Sequence, residues 1–307
     1  MENQKRKQAE IVLLIIIVIW GINTPVIKIG LMAVEPLAFN AMRLLIAAAL
    51  SCVALLLSKT YRPITRKAWR QIAAISVLGY FMNQILIVFG IPQTTAGNAA
   101  LMLATLPVDI ALINRILKIE PISRKTAIGI CIGLSGVFLV VLGSDKELSL
   151  SGQHLAGALL ILSGQFCYGY YTVLFKQMND EYSIYQIGAC VMTANALLFC
   201  LLALPNLSQV QFTSIPTSAW FSIIFSGIFA LSLANIVWIW TVGILGSTKA
   251  ALYQNLCPIV SIAFAWVYLD EGFGTLQWIG AAVAFLGLYL TRNLPSRRCL
   301  KLRTDEI

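Results

Sequence analysis

The sequence predicts an all-α integral membrane protein whose ten transmembrane helices form two inverted five-helix repeats. Three observations predict this. Of 307 residues, 59% are hydrophobic and only 11% charged, with a mean hydropathy of +0.82. Apolar runs of membrane-spanning length recur along the whole chain, and the second half echoes the first at a nearly constant offset. A soluble core of this size cannot hide so much apolar surface, so lipid is the main solvent. In lipid the backbone must satisfy its own polar groups, which leaves helices or a closed barrel. The unbroken runs lack the two-residue alternation of barrel strands, so they read as helices.

In chain order, Lys5-Arg6-Lys7 followed by Ile11 to Trp20 imitates a signal peptide. No small-residue cleavage site follows and the apolar run continues to about Met32, so this is a first span. Further runs fall near 37–57, 72–91, 98–117, 126–143, 155–175, 184–204, 217–242, 249–269 and 276–291. Each approaches the length a hydrocarbon core demands. Ten spans with an internal N-terminus place all of the 22 Lys and Arg except Lys28, Arg43 and Lys146 on the cytoplasmic side or its helix ends. Positive loops stay cytoplasmic, so both termini are expected inside, in the plasma (inner) membrane. The layout is a cytoplasmic tail (1–10), a first repeat (11–143), an exterior linker (144–154), a second repeat (155–291) and a basic cytoplasmic tail (292–307).

The net charge of +9 resides in these short loops and tails, a topological pattern and not a nucleic-acid surface. Seven cysteines without CxxC spacing and a single histidine, His154, make no usual metal set, and no P-loop is present. No cofactor, metal or catalytic constellation is expected, and the chain reads as no enzyme.

At an offset of 151 residues Ala99/Ala250, Ala100/Ala251, Leu101/Leu252, Pro107/Pro258, Glu120/Glu271, Gly129/Gly280 and Gly136/Gly287 are identical. Earlier in each half, Trp20-Gly21 and Lys28 are echoed by Tyr168-Gly169 and Lys176 at an offset of 148. Five spans per copy is an odd number, so the second copy enters the membrane upside down. In such inverted repeats, exchanging the conformations of the halves turns an outward-open state into an inward-open one.

Trp20-Gly21-Ile22-Asn23 with Lys28, Pro36 with Arg43 and Ala47, Ala99-Ala100-Leu101 leading to Leu106-Pro107, and Glu120 with Gly129 and Gly136, together with their second-half counterparts, resemble the EamA-type branch of the drug/metabolite transporter (DMT) superfamily. The resemblance covers roughly residues 10–292 and rests on order and spacing, not on one motif. It implies a ten-helix bundle around a central cavity and secondary transport of small metabolites, often by export. The chain departs from the pattern at Pro121 and Gly272, which follow the two glutamates, and at Arg43, which has only Val191 opposite it.

Counting about 1.5 Å per residue from the span ends puts Asn23, Asn83, Gln84, Asp109, Gln165, Tyr168 and Asn195 near the bilayer middle. Asn235 and Gln254-Asn255 fall closer to the cytoplasm. Amides at the midplane can replace a substrate's hydration; alternatively they join helices at about 1 kcal/mol or less each. Trp20, Tyr168 and Trp238 are deep enough to stack on a substrate, which would suit flat or cationic compounds. The substrate-binding candidates are therefore Trp20, Asn23, Asn83, Gln84, Asp109, Gln165, Tyr168, Asn235, Trp238 and Gln254.

Asp109 is the sharpest single case, because a carboxylate at mid-helix costs roughly 2.5–3.5 kcal/mol on insertion scales and must face protein or water. It is a candidate for substrate binding, for proton coupling, or as structural partner of a cation, with Arg43 within conceivable reach. Lys28 and Arg43 are gate or coupling candidates, with snorkelling outward as the plainer role. Pro107 and Pro258 each remove a helical hydrogen bond and are candidate bends. Gly129, Gly133 and Gly136 form a packing face that also suits a homodimer.

The function expected is secondary transport of small organic metabolites, with amino acids or related compounds leading and export as the direction. Proton coupling and a second copy of the chain are candidate partners besides the bilayer and the substrate. A passive pore or sensory membrane protein is the alternative, with an integral-membrane enzyme behind it.

Overall fold

The computed structural model describes residues 2–93, 99, 102–119, 122–142, 152–179, 181–207, 212–269 and 274–292. Glu120, Lys146, Glu271 and the C-terminal tail from 293 onwards, all prominent in the sequence, lie outside the described residues. Within them every regular element is a helix.

Helix α1 spans Glu2–Leu31 and so runs through most of the stretch read as a tail. Helix α2, Pro36–Ser58, starts where Glu35 accepts the Ala38 amide (3.0 Å), and the missing Pro36 N–H costs nothing in a first turn. It stops at Lys59, which takes the left-handed conformation (φ 52°). Then come α3 (Arg66–Gln93), α4 (Leu106–Ile116), α5 (Arg124–Leu142), α6 (Gly152–Met178), α7 (Ile184–Leu207) and α8 (Thr217–Leu245). Helix α9 begins as Ser247–Leu252, passes through a 3₁₀ turn at Tyr253–Leu256 and resumes as Cys257–Leu269; α10 is Thr275–Arg292. Helices α1, α2, α3, α6, α7 and α8 are each long and apolar enough to cross a membrane. Leu56, Leu57, Leu201, Phe221 and Trp278 stand exposed on the outside, a liability in water and the proper surface against lipid.

The packing follows one exchange rule. Helix α2 lies along α7 and α5 along α10, while α3 packs on α6 as α8 packs on α1, and α4 on α6 as α9 on α1. Replacing each helix by the one five places later returns the same set of pairs. The irregularities obey it too: α3 widens into a π-helical stretch at Ile75–Phe81 and α8 at Ser226–Leu233, starting 151 residues apart. Such widened turns concentrate at functional sites.

The glycines of α5 meet α10. A Cβ on Gly287 would stand 2.6 Å from the Gly133 amide nitrogen and 2.8 Å from the Gly129 carbonyl oxygen, and one on Gly136 would run into the Ala284 backbone. Backbone contact this close gives α5 and α10 their dispersion energy, the main attraction available between helices in lipid. The face read as suiting a homodimer is therefore occupied by the chain's own α10.

At one end of the bundle, the α2–α3 and α6–α7 connections bond each other. Thr60 and Ser183 hydroxyls lie 2.7 Å apart, and the Thr65 amide donates to Tyr182 Oη (3.2 Å). Near the start of α9, Lys249 pairs with Glu10 of α1 (3.1 Å), and the Asn114 amide of α4 donates to Ser247 and Thr248 hydroxyls (2.9 and 3.1 Å).

Candidate functional site

A cavity of about 140 Å³ lies among α1, α2, α3, α4, α6, α8 and α9. Its polar wall is Asn23 and Thr24 of α1, Arg43 of α2, Asn83 and Gln84 of α3, Gln165 of α6, Asn235 of α8 and Gln254 of α9; Trp20, Tyr80 and Tyr168 supply rings. Leu103, Leu106 and Cys257 enter it at two broken helices.

The breaks have a simple origin. Pro107 lacks the N–H that would bond the Leu103 carbonyl four residues back, so α4 starts afresh at Leu106 after a turn at residues 104–105. The orphaned Leu103 carbonyl accepts Gln165 Nε2 of α6 at 2.6 Å. Pro258 does the same in α9, where the helix resumes at Cys257 and the Cys257 amide takes the Gln254 carbonyl. Leu106 and Cys257 are 151 residues apart, so both restarts occupy one repeat position. Irregular backbone at this depth is tolerated because it faces protein and a cavity instead of lipid.

Arg43 is 2% exposed, and each nitrogen of its guanidinium donates to a neutral side chain: Nε to Asn40 Oδ1, Nη1 to Ser226 Oγ (2.9 Å) and Nη2 to Gln84 Oε1 (2.7 Å). Its Cζ lies 5.4 Å from the Phe39 ring centre. The outward snorkelling expected of Arg43 is thus corrected, as is its reach to Asp109. At Gly227 the π-helical stretch of α8 passes so near α2 that a Cβ there would meet the Arg43 carbonyl oxygen at 2.9 Å, and this approach brings Ser226 within bonding range.

The aromatic residues around the cavity form one connected group. Trp20 and Tyr168 are 6.4 Å apart edge to face, Tyr80 and Tyr171 5.0 Å, and Trp20 and Trp238 5.5 Å. Asn235 joins it, donating to Tyr171 Oη at 2.9 Å and accepting from Tyr168 at 3.4 Å. Trp20 Nε1 donates to the Ala230 carbonyl, and Trp238 Nε1 to Thr172.

Of the residues singled out by sequence, Trp20, Asn23, Asn83, Gln84, Gln165, Tyr168, Asn235 and Gln254 line the cavity, together with Arg43. Trp238 does not; it is fully buried behind Trp20. Asp109 does not either. It accepts from Thr105 Oγ1 (3.2 Å) and lies against α6, its Cβ 3.4 Å from where a Cβ on Gly169 would sit. Val260, its counterpart in the second half, lies against Gly21 in the same way. Lys28 is exposed and away from the cavity. Asn195 bonds the Val191 and Ser76 carbonyls, a helix-joining role. Tyr80 and Thr24 were missed: a lone tyrosine or threonine in an apolar run carries no signal of which way it points.

A helical, multi-pass bundle with amides, one guanidinium and aromatic rings around a small cavity, and with broken helices in the cavity wall, is an integral membrane protein with an internal binding space. The chain belongs to the EamA-like transporter family, whose sequence model matches residues 7–142 and 155–293. It is 27% identical over 296 residues to a "Probable amino-acid metabolite efflux pump" of Salmonella typhimurium, covering 90% of this chain and 92% of that one. It is 25% identical over 298 residues to a "Probable terminal-alkyne amino-acid exporter" of Streptantibioticus cattleyicolor, covering 96% and 97%. The "Uncharacterized transporter YoaV" of Bacillus subtilis is 21% identical over 285 residues, covering 91% and 95%. A protein of known crystal structure shares the fold with a TM-score of 0.75 at 17% identity, over 94% of this chain and 99% of that one.

Proposed function

We propose that the chain is a secondary transporter that exports small organic metabolites, amino acids or related compounds, by alternating access around the central cavity. The observation that carries this is the matched pair of restarts at Leu106 and Cys257 in the cavity wall, one from each half. A carrier needs two interchangeable conformations, and the exchange rule relating α1–α5 to α6–α10 supports two inverted five-helix repeats in ten spans. The names of the relatives support amino-acid compounds as substrates.

Topology follows from charge. The end where Glu10 meets Lys249 and Thr60 meets Ser183 also carries Lys5, Lys7, Arg62 and Arg66, which supports its being the cytoplasmic face of an inner-membrane protein with both termini inside. Lys249–Glu10 and Asn114 with Ser247 tie that face together, while the cavity-lining residues of α1 and α3 belong to their outer halves. This supports a conformation closed inward. Asp109, half-buried and bonded to Thr105, is the candidate for proton coupling.

Counterflow in proteoliposomes tests the reading. Preloaded unlabelled amino acid should drive labelled amino acid uphill, which a pore or an enzyme cannot do; equilibration without overshoot would remove the carrier.

A further inference from the structure

Arg43 presents an unusual balance of charge. A buried cation is normally paired with an acid, because the desolvation cost is not met by neutral groups alone. Here Asn40, Ser226 and Gln84 are all neutral, and among the described residues no carboxylate lies within ion-pairing distance of the guanidinium. Three of its five N–H donors are used, one on each nitrogen, which leaves one on Nη1 and one on Nη2 without an acceptor. Two such donors fit the two oxygens of one carboxylate. Val191, buried at the equivalent place in the second half, brings no charge, so the excess is one-sided.

A second feature answers it. Asn23, 8% exposed and on the cavity wall, has an Oδ1 with no hydrogen-bond partner. A buried orphan acceptor keeps the full cost of its desolvation unless a ligand donates to it. The cavity thus holds surplus donors with positive charge at Arg43, an orphan acceptor at Asn23, and the rings of Trp20, Tyr80 and Tyr168 between polar groups. Its volume of about 140 Å³ is close to the ~150 Å³ of an engineered cavity that binds benzene, and below the roughly 300 Å³ where drug-sized sites begin.

We propose that Arg43 is the receptor for a free carboxylate, and that the cavity selects small monocarboxylates whose N–H or O–H donor meets Asn23 Oδ1 and whose apolar body lies against the rings. This deepens the transport reading and rests on the cavity being the transport site. It excludes amines and amides of the same carbon skeleton, because they leave the guanidinium uncompensated.

The test uses the purified full chain in detergent and follows thermal stabilisation by L-phenylalanine and L-leucine, by their amides and the corresponding amines, and by inorganic phosphate. Carboxylates should stabilise it, with the amides and amines weaker by ~10- to 100-fold in apparent affinity, the loss of charge-assisted hydrogen bonds. Arg43→Gln should abolish the preference and Arg43→Lys retain part of it; should either variant fail to fold, the wild-type series decides alone. Equal responses to acid and amide, no response to any carboxylate, a response to phosphate only, or an unchanged preference in Arg43→Gln overturns the proposal. Counterflow with the same compounds separates the two readings. Binding without exchange sinks the carrier and keeps the Arg43 site, whereas equal exchange of acids, amides and amines keeps the carrier and sinks the site.

Discussion

Gln165 donates its side-chain amide to the Leu103 carbonyl at 2.6 Å, taking the acceptor that Pro107 leaves without its helical partner. An amide on α6 thereby holds open the break in α4. Gln165→Leu should cost about 1–3 kcal/mol, the penalty of an orphaned buried acceptor, and lower the melting temperature of the purified protein. Gln165→Glu, which keeps the length but offers no N–H donor when ionised, should not rescue it. An unchanged melting temperature in Gln165→Leu would mean that the carbonyl finds another partner.

Asp109 and Val260 occupy one repeat position, and each packs on a glycine of a neighbouring helix, Gly169 or Gly21. Asp109→Asn keeps the shape and removes the exchangeable charge. Uptake driven by a pH gradient should be lost while substrate exchange continues. If gradient-driven uptake survives, Asp109 is a packing residue that happens to be acidic.

Glu10 and Lys249 close α1 against α9 at 3.1 Å. Cysteines at both positions, in a background without the native thiols, should cross-link readily without substrate. Saturating exchange substrate, by populating the inward-open state, should slow that cross-linking severalfold. Equal rates with and without substrate would show that this contact is not part of the gate.

Gly287 touches the Gly133 backbone, and there is no room there for a side chain. Gly287→Val should separate α5 from α10 and destabilise the fold by about 1–3 kcal/mol, the usual cost of overpacking. The decisive measurement is thermal unfolding in detergent, with Gly188→Ala as the control, since a Cβ there meets nothing within 4 Å.

Met32 and Lys59 flank the two ends of α2, Met32 at 83% exposure. In intact cells, Met32→Cys should react with an impermeant thiol reagent and Lys59→Cys should not. The reverse pattern would invert the topology.

Much of the cavity was legible in advance because depth is encoded in sequence. Each helical residue advances a fixed ~1.5 Å, so counting from a span end placed Asn23, Asn83, Gln84, Gln165 and Tyr168 at one height, and all five line the cavity. Height does not give direction. Asp109 was read at the same depth but turns toward α6, and Trp238 turns behind Trp20. Arg43 was read as close enough to the surface to snorkel, yet the crossing of α8 at Gly227 caps it with Ser226 and leaves it 2% exposed.

The sequence by itself determined a helical membrane chain, because lipid leaves the backbone no partner but itself, and it determined the two prolines at one repeat position, because the missing N–H is covalent. Only the tertiary structure decided which face of each helix looks inward. That choice depends on close approach between backbones, at Gly133 with Gly287 and at Gly227 with Arg43, and a string of residues does not state which partner will arrive. Among the described residues, Arg43 is the one charged side chain in the cavity wall, and its place follows from that choice: its helix could have turned it to the headgroups, and the packing of α8 holds it at the cavity.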